Sequence, residues 1–177
     1  MPKLILQLER VPSPVGNLTL LTDECGKIRI LEFNDHHEDR FRQYLARRFG
    51  PDAVTLVELR EPSNARRALE AYFDGHLNAI DALEVETAGT PFQREVWAAL
   101  RGIRVGSTIS YGQLAAKLDR PKAVRAIGVA NGANPVAIVV PCHRVIGSDA
   151  SLTGYGGGLE RKRWLLEHEG VLLHLNP

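Results

Sequence analysis

The 177 residues predict a mixed α/β (α+β) chain of two domains, residues 1–87 and 88–177. Three observations carry that expectation. Residues 18–33 alternate around a turn as a hairpin does, residues 38–73 place apolar side chains at helical spacing, and two capping-box starts beyond residue 88 announce a mainly helical second half. The length suits one large or two small domains with a real core. Hydrophobic residues at 44% and charged residues at 24% are ordinary for a globular protein. No segment approaches the roughly 20 apolar residues of a membrane span, and Met1 to Arg10 lacks a signal peptide's apolar run. A cytoplasmic protein with no membrane partner is expected.

In the first domain Leu18, Leu20 and Thr22 alternate with Thr19 and Leu21, a turn follows at Asp23 to Gly26, and Ile28, Ile30 and Phe33 resume the pattern. From Glu38 to Phe49, Phe41, Tyr44, Leu45 and Phe49 recur at helical spacing until Gly50-Pro51. Val54 to Leu59 suits a strand. Ser63 is an N-cap candidate for a helix burying Ala65, Leu69, Tyr72 and Phe73 and ended by Gly75. Nothing in this half has catalytic spacing. Ile80 to Gly89 reads as an acidic, irregular connection.

The second domain opens at Thr90-Pro91-Phe92-Gln93, which combines an N-cap threonine, proline at the first helical position and a capping-box glutamine. Phe92, Val96, Trp97 and Leu100 then face a core. Ser110-Tyr111-Gly112-Gln113 repeats the signal and opens a helix through Leu118; after a turn at Asp119-Arg120, Pro121 starts another that Asn131-Gly132 ends. Two short helices joined by a tight turn outline a helix-turn-helix. In the second of them Val124 and Ile127 share one face and Lys122 and Arg125 another, free to meet a nucleic-acid backbone. On periodicity alone, a helical hairpin with a solvated basic face explains the pattern as well. The β-branched run Val136 to Val140 predicts a strand ending at Cys142. Gly147 to Gly158 is a loop holding Tyr155, and the last helix runs from Leu159 with Trp164, Leu165 and His168 on one side and Glu169 at its end.

Net charge is +1. Its distribution is uneven: residues 1–87 hold 11 Lys and Arg against 15 Asp and Glu, a net of −4, and residues 88–177 hold 11 against 6, a net of +5. A phosphate-facing surface belongs in the second half. The two cysteines, Cys25 and Cys142, are too few for a disulfide framework or a four-thiolate zinc site. His36 and His37, flanked by Asp35, Glu38 and Asp39, read as a solvated face. Neither a metal nor a cofactor is expected.

The chemistry gathers at Ile138 to Gly147, where an apolar run delivers Cys142, His143 and Arg144 together behind Pro141. A thiol attacks as thiolate, and a neighbouring imidazole or cation helps to form it. The competing reading is a buried core cysteine with His143 and Arg144 on the surface. The longer string favours function. Pro141-Cys142-His143-Arg144-Val145, preceded by Asn134-Pro135 and followed by Gly154-Tyr155-Gly156-Gly157-Gly158-Leu159 and Glu167-His168-Glu169-Gly170, resembles the O6-alkylguanine-DNA alkyltransferases.

The resemblance implies a ribonuclease-H-like first domain and a single-turnover transfer of the alkyl group from O6 of guanine, and from O4 of thymine, to Cys142. It implies a proton relay of Cys142, water, His143 and Glu169, where spacing alone also nominates Glu167 or Asp149 as the carboxylate. Tyr111 matches the family's hydroxyl donor. Arg125 matches the arginine that fills the stack when the base is flipped, on a helix that meets DNA with Lys122, Ala126 and Gly132. Asn134 matches a hinge, and Val145, Tyr155 and Gly156 match pocket positions. Gly156 stands where some members carry serine and Gly132 where some carry arginine, which bears on alkyl size and DNA affinity. Some members bind zinc in the first domain, but the second cysteine such a site uses is absent here. The implied partner is double-stranded DNA containing O6-alkylguanine, met by a monomer, with cooperative binding along DNA left open. A lesion-binding protein without transfer and a cysteine hydrolase are the rival readings.

Overall fold

The computed structural model describes residues 3–33 and 38–171, so the His36–His37 pair lies outside the described residues. The chain divides into two compact units at Ala88 and Gly89.

In the first unit β1 (Leu4–Val11), β2 (Leu18–Asp23), β3 (Ile28–Phe33) and β4 (Val54–Glu58) form one sheet in the order β3-β2-β1-β4. The first three strands are antiparallel neighbours and β4 runs parallel to β1. The hairpin of the sequence is β2 and β3, with Leu20 opposite Leu31; β1 is an additional strand. Side chains alternate between the two faces of a strand. On one face Leu6, Leu21 and Ile30 form a core with Leu45 of α1 (Glu38–Phe49). Glu9 points to the other, where α2 (Asn64–Phe73) buries Ala65, Leu69 and Tyr72. Ser63 caps α2 by accepting from the Arg66 amide at 3.1 Å, and Glu9 in turn accepts from the Ser63 amide at 2.9 Å and from its hydroxyl. Residues 81–88 are less irregular than expected. Val85 bridges to Ile28, whose amide and carbonyl pair with Glu84 and Glu86 at 2.9 Å.

In the second unit α3 (Pro91–Arg101) begins with the full capping box of Thr90 and Gln93 and buries Val96, Trp97 and Leu100. Trp97 Nε1 donates to the Ala130 carbonyl at 2.8 Å, satisfying the indole where it is buried. α4 (Tyr111–Lys117) has the second capping box, Ser110 with Gln113, and lies against α5 (Val124–Gly132). β5 (Ile109–Ser110) and β6 (Val145–Ile146) form a short parallel pair, and α6 (Leu159–His168) closes the unit.

Two expectations are corrected here. α5 starts at Val124 and not at Pro121, because the backbone after Asp119, itself at φ 54°, first closes a turn from the Ala123 amide to the Arg120 carbonyl. Lys122 therefore precedes the helix, and Val124, 38% exposed, does not share the buried face of Ile127. Val136 to Val140 is a series of turns and not a strand. Asn134 holds it curled: Oδ1 accepts from the Val136 amide at 3.0 Å, and Nδ2 donates to the Val140 carbonyl at 2.8 Å. Ile138 adopts φ 70°, a costly conformation for a β-branched residue.

Candidate active site

Pro141 (φ −82°, ψ 65°) forms an inverse γ-turn, with the Cys142 amide donating to the Val140 carbonyl at 2.8 Å. Cys142, His143 and Arg144 then make one 3₁₀ turn, and all three side chains are buried. The reading of His143 and Arg144 as surface residues is thereby excluded.

Arg144 and His143 converge on one carboxylate. His143 Nε2 lies 2.9 Å from Glu169 Oε1, and Arg144 grips the same group with Nε on Oε2 and Nη2 on Oε1, both at 2.9 Å. Arg144 Nη1 is anchored on the Ile103 carbonyl at 2.6 Å. Glu169 caps the C-terminus of α6, which places it across from the 3₁₀ turn. Neither Glu167, which is exposed, nor Asp149, also exposed, takes this place.

Burial alone opposes ionisation of Glu169, but hydrogen bonds from His143 and Arg144 outweigh it and hold its pKa down at about 2. Burial lowers the pKa of His143, aided by the charges of Arg144 and Lys162 and opposed by Glu169. A neutral imidazole facing an ionised carboxylate must carry its proton on Nε2. That leaves Nδ1 as a basic lone pair, and among the described residues it has no hydrogen-bond partner. Burial also raises the pKa of Cys142, with Asn134 and then Lys162 pulling the other way. The thiol accepts from Asn134 Nδ2 at 3.1 Å. It is a neutral thiol beside a free base, not a preformed thiolate.

Lys162 is a member of the site that sequence reasoning missed. Its side chain is fully buried, with Nζ on the carbonyls of Val145 at 2.6 Å and Thr153 at 2.8 Å, and burial lowers its pKa to about 8. It ties β6 to the loop that carries Tyr155. Tyr111 meets the same loop, donating to the Thr153 carbonyl at 3.4 Å, and Gly154, at φ 55°, lies next to its hydroxyl, where a Cβ would stand 3.6 Å away. Burial raises the Tyr111 pKa, and ionisation of Cys142 would raise it further.

Of the remaining predicted residues, Val145 is buried beside Cys142 and Tyr155 is half-buried, while Gly156 is exposed, and a Cβ added there would meet nothing within 4 Å. Arg125, Ala126 and Gly132 lie exposed on α5, with Lys122 just before it and Val129, 69% exposed, among them. The fold thus makes two groupings: a cluster of Cys142, His143, Glu169 and Val145, all buried, with the half-buried Asn134, and an exposed α5 surface.

The family model described as the DNA binding domain of 6-O-methylguanine DNA methyltransferase matches residues 91–171. The methylated-DNA-protein-cysteine methyltransferase of Salmonella typhimurium is 50% identical over 165 residues, covering 93% of this chain and 96% of that protein. The chain belongs to the methylated-DNA-protein-cysteine methyltransferase family. Among solved structures, the family's Mycobacterium tuberculosis O6-methylguanine methyltransferase superposes with a TM-score of 0.75 at 40% identity, covering 93% of this chain and 92% of that one. Mycobacterium tuberculosis OGT in complex with DNA does so with a TM-score of 0.73, with the same identity and coverage. The family model spans every residue of the Cys142 cluster and of the α5 surface.

Proposed function

We propose that the protein repairs DNA by moving an alkyl group from O6 of guanine, and from O4 of thymine, to Cys142, once per molecule. The observation that carries this reading is the unpartnered Nδ1 of a neutral, buried His143 next to Cys142, backed by Glu169. The thiol proton passes through a water to Nδ1, since the two neighbouring side chains make no direct hydrogen bond among those described. Sulfur then displaces the base: an S–C bond forms, the C–O6 bond breaks, and the leaving guanine takes a proton donated by the Tyr111 hydroxyl. The thioether has no carbonyl for water to attack, so the protein is not regenerated.

A thiol that is 7% exposed cannot reach a base inside a duplex, so the lesion must be flipped out. The exposed side of α5, entered as the second helix of a helix-turn-helix, supports docking on DNA, with Arg125 filling the gap in the stack and Lys122 on a phosphate. Asn134 links α5 to the nucleophile, since it follows the helix and donates to Sγ. Both cysteines are free, which suits the reducing cytoplasm. Among the described residues no helix is long and apolar enough to cross a membrane. We take the acting species to be a monomer.

The test is intact-protein mass after mixing with a duplex carrying one O6-methylguanine, followed by peptide mapping. The expected result is one added methyl on Cys142, saturating at one per protein, and none in Cys142→Ala. Tight binding without mass gain would mean a lesion-binding protein, and turnover of an ester or amide would mean a hydrolase.

A further inference from the structure

Val129 on α5 is the most exposed of the large apolar side chains among the described residues, at 69%, and Leu159 follows at 47%. A lone exposed valine needs no explanation, but its place here does. Residues three and four positions away are neighbours on a helix surface. On α5 those are Arg125, Ala126 and Gly132, all exposed, while Ile127, Ala130 and Asn131 turn inward. Among the described residues none covers the Gly132 end of this stripe, where an added Cβ would meet nothing within 4 Å. Only Arg125 and Val129 project from it beyond a Cβ.

The occupant that suits such a stripe is duplex DNA, met from the minor groove. Lys122 and Arg125 supply the charge that phosphates require, in a half of the chain with a net of +5. Reading the major groove takes several hydrogen-bonding side chains, and the stripe offers Arg125 alone. Apolar side chains next to an arginine are instead a means of meeting the minor groove. There A·T pairs present acceptors only, and G·C adds one donor, the 2-amino group of guanine. We infer that Val129 is a specificity residue for the sequence around the lesion: its methyl groups rest on the minor-groove floor beside the gap that Arg125 fills, and strip a 2-amino group there of water without accepting its hydrogen bond. A·T neighbours therefore favour repair and G·C neighbours slow it. Side chains one helical turn apart stand about 5–6 Å from each other, and base pairs are spaced by about 3.4 Å. The pair that is read lies within two steps of the lesion. The inference rests on the reading of α5 as the helix that docks on DNA, given above.

The experiment measures single-turnover methyl transfer below saturation by the wild type and Val129→Ala, on O6-methylguanine duplexes whose two flanking pairs on each side are G·C or hypoxanthine·C. Hypoxanthine keeps the major-groove edge of guanine and lacks its 2-amino group. Its weaker pairing eases base flipping for both proteins alike, so the readout is the ratio of the two gains. Alanine at an exposed helical position favours the helix, which keeps the variant folded. Removing the amino groups should speed the wild type about fivefold more than Val129→Ala, the lower end of the cost of stranding a buried donor. Equal gains overturn the role of Val129. So does a slower wild type on A·T flanks when uracil replaces thymine, since the lost methyl lies in the major groove. Transfer from the free O6-methylguanine base should be the same for both proteins; a slower Val129→Ala would place its effect in the pocket and overturn the inference. Arg125→Ala reacting with every duplex at the wild-type rate would instead overturn the docking of α5.

Discussion

Glu9 in the first unit and Glu169 in the second are each 4% exposed, and each is held by residues far away in sequence. Glu9 accepts from the amide and hydroxyl of Ser63, both neutral donors, and the arrangement ends there with a capped helix. Glu169 accepts from Arg144 and from a histidine whose other nitrogen has no partner among the described residues. The difference teaches that burial of a carboxyl group is not itself a functional sign. What distinguishes Glu169 is that its hydrogen bond sets the tautomer of His143 and so delivers a lone pair at the far side of the ring.

The strongest way to break the comparison is Glu169→Gln. It should slow methyl transfer by about 10²-fold or more, the usual worth of a positioned acid-base group. Glu169 supports the protonated form of His143, so its removal should also move the acid limb of the pH-rate profile to lower pH. An unchanged limb would falsify the relay. Stability should follow with a definite sign. The folded pKa of Glu169 lies below its unfolded value of 4.5, so its contribution is present above 4.5 and is lost as pH falls toward about 2. His143, neutral in the fold, adds a loss that starts as pH drops below 6.5. Acid unfolding monitored at several wavelengths checks both.

A smaller effect separates the Cys142 cluster from the α5 surface. Arg125→Ala should slow transfer from a duplex by about tenfold or more, because unstacking is no longer offset, and should leave transfer from the free O6-alkylguanine base near the wild-type rate. An equal loss on both substrates would take Arg125 out of base flipping.

How far the sequence can be read tracks how local each interaction is. The caps at Ser63, Thr90 and Ser110 are legible because the partners lie three residues away, and the hairpin because alternation is a property of neighbours. β1 escapes detection although Leu4, Leu6 and Leu8 alternate, since apolar Ile5 blurs the pattern. Val136 to Val140 misleads because β-branched propensity takes no account of the side chain of Asn134, which bends that run from outside it. Arg144 and Lys162 are hidden for a related reason. By type they belong on the surface, and the acceptors that bury them come from 25 and 17 residues away. At the site, Cys142, His143 and Glu169 are reached through the resemblance, whereas the neutral state of the thiol and the open Nδ1 need three-dimensional surroundings.

The smallest effect on the reaction should come from the other glutamate. Glu9→Gln keeps the shape of the side chain but turns one of its two acceptors into an N–H that faces the Ser63 donors. The unmade hydrogen bond should cost about 1–3 kcal/mol, read as a lower midpoint in thermal or denaturant unfolding of the first unit. At 25 °C, where that loss still leaves the protein folded, the rate of transfer to Cys142 should match the wild type. Slower transfer at unchanged stability would mean that the cap on α2 reaches the chemistry, and that Glu9 and Glu169 differ less than their hydrogen bonds suggest. The pairing of the two glutamine variants is therefore informative as a set: one should move the rate and its pH dependence, the other only the midpoint.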